Sequence, residues 1–222
     1  MGFNVAIDGP ASAGKSTLAK LLAKKMSFIY VDTGAMYRAI GLYCYNNNID
    51  IDNEEMVSDN CHNAVIDIKY VDSAQVLFLN GEDVTSELRK EEVGHAASVT
   101  SSYKRVREYL LDTQRSIAKS NDVVMDGRDI GTVVLPNADL KIFLTASSRQ
   151  RAIRRHKELL EKGINKTVDE VEKDLNERDA RDSSRATAPL KQADDAVLIN
   201  TTNMIITEEL DMVISLCKDR IK

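Results

Sequence analysis

Gly9, Gly14, Lys15 and Ser16 satisfy the spacing G-x-x-x-x-G-K-[ST] in full. Residues of these types at this spacing can hold a phosphate chain. Gly9 and Gly14 let the backbone take conformations that a Cβ forbids, so the N–H groups of Gly9, Pro10-flanked Ala11, Ser12, Ala13 and Gly14 can turn inward toward phosphate oxygens. Lys15 brings a full charge to the β- and γ-phosphates. The Ser16 hydroxyl can ligate Mg²⁺, and Thr17 closes the motif.

Such a loop works only between a buried strand and a helix whose N-terminus adds partial positive charge. Residues 3–7 form a short apolar run suited to a buried parallel strand. Residues 17–26 read as a helix with Leu18, Leu21 and Leu22 on one face. Further strands are expected at 27–31, 122–125, 140–144 and 197–199, and helices at 35–45, from Asn53, at 86–97, 103–119, 148–161, 167–184 and 207–220. Asp32, Thr33 and Gly34 are expected to break the second strand before its helix. Val106, Tyr109, Leu110, Thr113 and Ile117 form the apolar stripe of 103–119. Ser147 or Ser148 caps one late helix and Thr207 the last. Residues 65–85 change period: two short strands precede Asn80-Gly81, a type I′ hairpin signal, and 82–84 returns. The pattern implies an α/β fold, a doubly wound parallel sheet with helices on both faces and a small antiparallel β insert.

The 222 residues, 43% apolar, suffice for one such domain. A net charge of −5 argues against a nucleic-acid binder. No apolar run reaches membrane-spanning length, and the first residues lead directly into a strand rather than a secretory leader. Cys44, Cys61 and Cys217 lack metal or disulfide spacing and read as reduced, buried thiols of a cytoplasmic protein. His62, His95 and His156 read as surface or structural residues. Residues 149–185 hold 11 Lys and Arg against 9 Asp and Glu, whereas the rest of the chain is net acidic. Within them Arg178, Arg181, Asp182 and Arg185 are three or four residues apart, as on one helix face. That face suits a helical lid that closes over phosphates, with a solvated, salt-bridged hairpin as the plainer alternative.

A phosphate-binding loop gives nucleotide binding, not function. The guanine signature N-K-x-D is absent, because Asn165 to Asp169 is one residue too long, and no L-S-G-G-Q-like signature occurs. A small kinase remains, whose second substrate sits in cationic loops at the strands' carboxyl ends. The 32–38 and 126–132 loops each offer an arginine there: Arg38 and Arg128, the latter beside Asp129.

The stretches GPASAGKST (9–17), DTGAMYRA (32–39), SxxxxxxRVRxxL (98–110), DGRDIGTVVLPNADLKIFL (126–144) and ERDARDSSRATAPL (177–190) resemble the bacterial cytidylate kinases over the whole chain. The first stretch is generic and the last two are specific. Thr33 stands where the family often has Ser, and the hydroxyl is kept. The resemblance implies a P-loop NTPase fold and ATP-dependent phosphorylation of CMP or dCMP with Mg²⁺, by a cytoplasmic monomer of pyrimidine metabolism. It implies acceptor contacts at Thr33 and Arg38, with Arg38 on the phosphate. Cytosine readers would be Ser98, Arg107 and Asp129, and ribose contacts Arg178 and Asp182. Arg128 and Arg185 would clamp phosphates during transfer. Asp126 would hold either the Mg²⁺ shell or the phosphate-site arginines. A single kinase domain spanning 1–222 would comprise a core (about 1–35, 103–148 and 188–222), an acceptor-binding insert (about 36–102) and a lid (about 149–187). A P-loop kinase with another acceptor, or an ATP-binding module without turnover, are the competing classes.

Overall fold

The computed structural model describes residues 2–71 and 74–221. A five-stranded sheet has the order β2-β6-β1-β7-β8, from β1 (Asn4–Asp8), β2 (Ile29–Asp32), β6 (Val123–Gly127), β7 (Leu140–Thr145) and β8 (Val197–Asn200). Every pairing in it is parallel. β1 lies centrally, and its alternation sorts two cores. Val5 and Ile7 pack on α1 (Lys15–Met26) and α8 (Ile206–Lys218) through Leu18, Leu22, Leu210 and Val213. Ala6 faces the other way, with Met125, Ile130 and Ala118 of α5 (Lys104–Ser120). Helices therefore cover both faces, as a parallel sheet requires. The carboxyl ends of β1, β2 and β6 lie side by side, because Ile7 and Asp32 both pair with Asp126.

The insert builds its own core. A three-stranded antiparallel sheet, β3 (Ile66–Val71), β4 (Ala74–Leu79) and β5 (Glu82–Asp83), packs with α2 (Thr33–Asn46), α3 (Glu54–Asn60) and α4 (Glu91–Thr100) around Met36, Ile40, Leu77 and Leu79. Asn80 and Gly81 both have positive φ, 50° and 88°, the backbone that a type I′ turn demands. α6 (Ser148–Glu161) and α7 (Val168–Ser184) form a hairpin around Ala152, Leu159, Val171 and Leu175, which also covers Ala11 of the phosphate loop.

Several local expectations change. α1 begins at Lys15, not Thr17. α2 begins at Thr33, so Thr33 and Gly34 are helical, because the Asp32 carboxylate caps the helix by accepting the Ala35 N–H at 2.8 Å. Residues 86–97 divide into a short 3₁₀ turn and α4, which runs on to Thr100 and so carries Ser98. A π-type turn at Ile130–Val134 follows β6 where a plain loop was expected. α8 starts at Ile206, and Glu208, rather than Thr207, supplies the cap by accepting the Ile205 N–H at 3.0 Å. In α5 Thr113 is exposed, and the buried stripe instead includes Arg107 and Gln114. Ser147 caps α6, and the three cysteines are buried and unpaired. Among the described residues no helix is long and apolar enough to cross a membrane.

Candidate active site

The phosphate loop follows β1 and hands directly to α1. At Gly9, φ is 148° and a Cβ would lie 1.9 Å from the Leu144 carbonyl oxygen, so only glycine fits the turn. Pro10, Ala11, Ala13 and Lys15 are buried, Ser12, Gly14 and Ser16 partly so, and Thr17 is exposed. Lys15 curls back so that Nζ donates to the Pro10 carbonyl at 2.7 Å. Burial, reinforced by Arg128 and opposed by Asp126 and Asp8, pushes its ammonium down to about 7. The Ala11 N–H does not face the loop interior as expected. It donates to Asp179 of α7 at 3.1 Å, while Arg151 of α6 binds the Ala11 carbonyl at 3.0 Å and pairs with the same Asp179. The helical hairpin is thus fastened to the loop it covers.

Asp126, at the end of β6, stands beside the start of α1. Its Oδ2 accepts from Ser16 Oγ and its Oδ1 from the Tyr30 hydroxyl, each at 2.8 Å. Burial raises its pKa, Asp32 adds to this, and Lys15 opposes it. Neither of these two carboxylate hydrogen bonds goes to an arginine, although the carboxylate helps hold the Arg128 guanidinium protonated. Thr33 Oγ1 donates to the Asp126 carbonyl at 2.7 Å. Arg38, one turn along α2, is held by Asp32 Oδ2 at 2.9 Å.

Arg107 and Asp129 form a buried ion pair, with side chains 8% and 5% exposed. Arg107 Nη1 also donates to the Ser101 carbonyl at 3.0 Å, and its guanidinium lies over the Tyr37 ring at 5.2 Å. The same Ser101 carbonyl accepts from Arg185 Nη1 at 3.3 Å, which brings the residue just past α7 against the C-terminal end of α4. Ser98, one turn before Ser101, is buried with its hydroxyl unpartnered. Arg107, Asp129, Tyr37 and Gln114 line a cavity of about 110 Å³. Gln114 Nε2 is another buried donor without a partner.

Asp182 joins the remaining cations. Its Oδ2 accepts from Arg128 Nε at 2.8 Å, and its Oδ1 lies 3.5 Å from Arg185 Nη2. Arg178, on the same helix face, has a buried Nε without a partner, and its guanidinium is lowered to about 10 by burial and by Arg128. Arg181 is exposed and does not join this face, and Arg185 lies just past the end of α7. Asp182 pairs with Arg128 and Arg185 and so offsets the repulsion among the clustered arginines.

Asp8 carries no motif signal, yet it closes the crevice. Its two carboxylate oxygens accept the Ile130 and Gly131 N–H groups at 2.7 Å each, and burial pushes it up to about 6. The residue before the phosphate loop thereby fixes the backbone that follows Arg128 and Asp129. Arg151 and Asp179 were equally unmarked.

Among the described residues, Ser98 Oγ, Arg178 Nε and Arg185 Nη2 are buried without hydrogen-bond partners, and the Lys15 ammonium is held only by the Pro10 carbonyl, at 2.7 Å. This arrangement suits two phosphate-bearing ligands meeting end to end, one of them with a polar ring in the Arg107 recess. A family model described as cytidylate kinase matches residues 5–219. A cytidylate kinase from a Geobacillus species is 46% identical, over 99% of this chain and 98% of its own. One from Caldicellulosiruptor saccharolyticus is 50% identical, over 96% and 95%. A solved gluconokinase from Sinorhizobium meliloti shares the fold, with a TM-score of 0.51 at 11% identity, over 98% of this chain and 93% of its own. With that extent of match spanning both the phosphate loop and the Arg107 recess, the chain belongs to the cytidylate kinase family.

Proposed function

We propose that the protein transfers the γ-phosphoryl group of ATP to CMP or dCMP, giving ADP and CDP or dCDP, as a cytoplasmic monomer serving pyrimidine nucleotide metabolism. An oxygen of the acceptor phosphate bonds to the γ-phosphorus, the bond to the β,γ-bridging oxygen breaks, and its electron pair leaves on ADP. The observation that carries the reading is the buried Arg107–Asp129 pair lining a cavity, with the unpartnered Ser98 hydroxyl one helix turn before Ser101, whose carbonyl binds Arg107. Cytosine offers an N4 amino donor and N3 and O2 acceptors. Asp129 or Ser98 takes the first, and Arg107 supplies the second and third.

The acceptor phosphate is already a nucleophile, so the protein needs charge and position rather than a general base. Lys15 meets the β- and γ-phosphates when its head leaves Pro10. Arg38 and Thr33 hold the acceptor phosphate, Arg178 and Asp182 the ribose. Arg128 and Arg185, aimed by Asp182, stabilise the transferring group, for which a bidentate fork that stays protonated is suited. α6 and α7 serve as the lid that excludes water. Ser16 Oγ and Asp126 Oδ2 are two hard oxygen donors beside Lys15 and fit Mg²⁺, which takes one or two protein oxygens together with phosphates. Bound with ATP, the ion neutralises charge on the β- and γ-oxygens. Three buried, unpaired thiols fit a reducing compartment.

Incubation with MgATP labelled at the γ-phosphate and CMP tests the reading. Label in the β-phosphate of CDP is expected. Label released as inorganic phosphate, with CMP unchanged, would overturn it.

A further inference from the structure

Gln75 sits on β4, on the face it shares with Leu77 and Leu79, both buried in the core of the insert. A polar amide here stands where the period-two pattern calls for another apolar side chain. Its partner is a main-chain unit of the parallel sheet. Oε1 accepts the Asp32 N–H at 2.8 Å, and Nε2 lies 3.5 Å from the Asp32 carbonyl oxygen. β2 is an edge strand of that sheet. A residue of a parallel strand sends its N–H and C=O to the same side, so one primary amide can close this edge as a residue of a neighbouring strand would.

Asp32 is the residue on which the acceptor side of the crevice turns. Its Oδ1 caps α2 through Ala35 at 2.8 Å, and its Oδ2 holds Arg38 Nη2 at 2.9 Å. Thr33 follows it directly and bonds the Asp126 carbonyl. We infer that Gln75 is a positioning residue for the acceptor phosphate: it fixes Asp32, and through Asp32 the guanidinium of Arg38, so that the small sheet and the acceptor site move as one unit. Gln75 itself contacts no substrate. The inference rests on Arg38 being the acceptor-phosphate contact.

The test is a double-mutant cycle with Gln75→Met, a side chain of equal length without the amide, and Arg38→Ala. CMP is varied at saturating MgATP, ATP at saturating CMP, and thermal melts are recorded alongside. Gln75→Met is expected to raise the CMP KM about fivefold, with the ATP KM little changed and the melting temperature lowered only by the about 2–4 °C that one net hydrogen bond is worth. In the Arg38→Ala background the same substitution is expected to add nothing further. An unchanged CMP KM in Gln75→Met, with Arg38→Ala impaired, overturns the inference alone. So does full additivity of the two effects, or a fall in melting temperature that accompanies equal rises in both KM values. A normal CMP KM in Arg38→Ala overturns the Arg38 reading together with the inference. Gln75→Ala provides the same cycle if the Met variant is poorly folded.

Discussion

Asp129→Asn separates base reading from bracing. The carboxylate is 5% exposed and faces a guanidinium that is 8% exposed, so neither charge has water to fall back on. Asn keeps an acceptor oxygen for Arg107 but loses the charge. A charge-assisted bond contributes about 1.5–3 kcal/mol net against about 1 for a neutral one, so the fold loses about 0.5–2 kcal/mol. Arg107 retains the Ser101 carbonyl and the Tyr37 ring, which keeps the loss from reaching the larger cost of a fully stranded buried charge. For a chain of this size, that loss lowers the melting temperature by about 1–8 °C. The kinetic effect should exceed it. A site built to hydrogen-bond a ring, once mispaired, loses up to about 10⁴ in kcat/KM, and about 10²–10³ is expected for CMP. The Asn amide can also donate to a uracil carbonyl, so the preference for CMP over UMP should narrow. A coupled ADP assay with CMP, UMP and ATP varied in turn, beside thermal melts, measures all three effects. A lowered melting temperature with unchanged CMP kinetics would refute the base-reading assignment and leave the pair as a brace.

Lys15→Ala should lower kcat by about 10² or more without lowering the melting temperature, because burial already disfavours the lysine's charge; near-normal turnover in a folded variant contradicts this. Arg185→Ala should cut kcat by about 10³ while leaving ATP affinity nearly intact, as titration calorimetry can check. Arg178→Ala should mainly raise the CMP KM, whereas Asp182→Ala should lower kcat as well, since it holds Arg128 and Arg185; steady-state constants for the pair distinguish them. The Asp8 carboxyl is raised from 3.8 to about 6, so the native state holds the proton more tightly than the unfolded chain. Its contribution to stability therefore falls as pH rises from about 4 to 6, by about 3 kcal/mol. Urea titrations should show the advantage of wild type over Asp8→Asn shrinking across that range, and a gap independent of pH would contradict the assignment.

What was legible in the sequence is what neighbours in the chain decide. Gly9 and Gly14 supply the positive φ that the phosphate loop turns on, Asn80-Gly81 selects its own hairpin, and Asn53 and Ser147 cap the helices beside them. The strands of the parallel sheet follow from apolar runs, and so do its two covered faces. The cap of α8 was misplaced because Thr207 has a capping side chain, while the actual cap is a carboxylate reaching back from Glu208. Pairings between distant segments were not legible. Asp8 meets N–H groups 122 and 123 residues away, and Arg151 reaches the Ala11 carbonyl across 140. Helical spacing placed Arg181 with Arg178 and Asp182. It could not show that the hairpin leaves Arg181 in solvent, because that depends on how α7 rolls onto the phosphate loop. Arg107 was named by resemblance. Its place in the buried stripe of α5 contradicts the apolar pattern, since its charge is matched by Asp129 rather than by any neighbour in the helix.

Central to the proposed function is that the recess lined by Arg107 and Asp129 reads the acceptor's pyrimidine. The most direct measurement is kcat/KM with MgATP for CMP, dCMP, UMP, AMP and GMP under one set of conditions. CMP and dCMP should lead. UMP should follow, because it reverses the donor and acceptor at ring positions 3 and 4, and the purines should be barely used. AMP or GMP as the preferred acceptor would contradict the account.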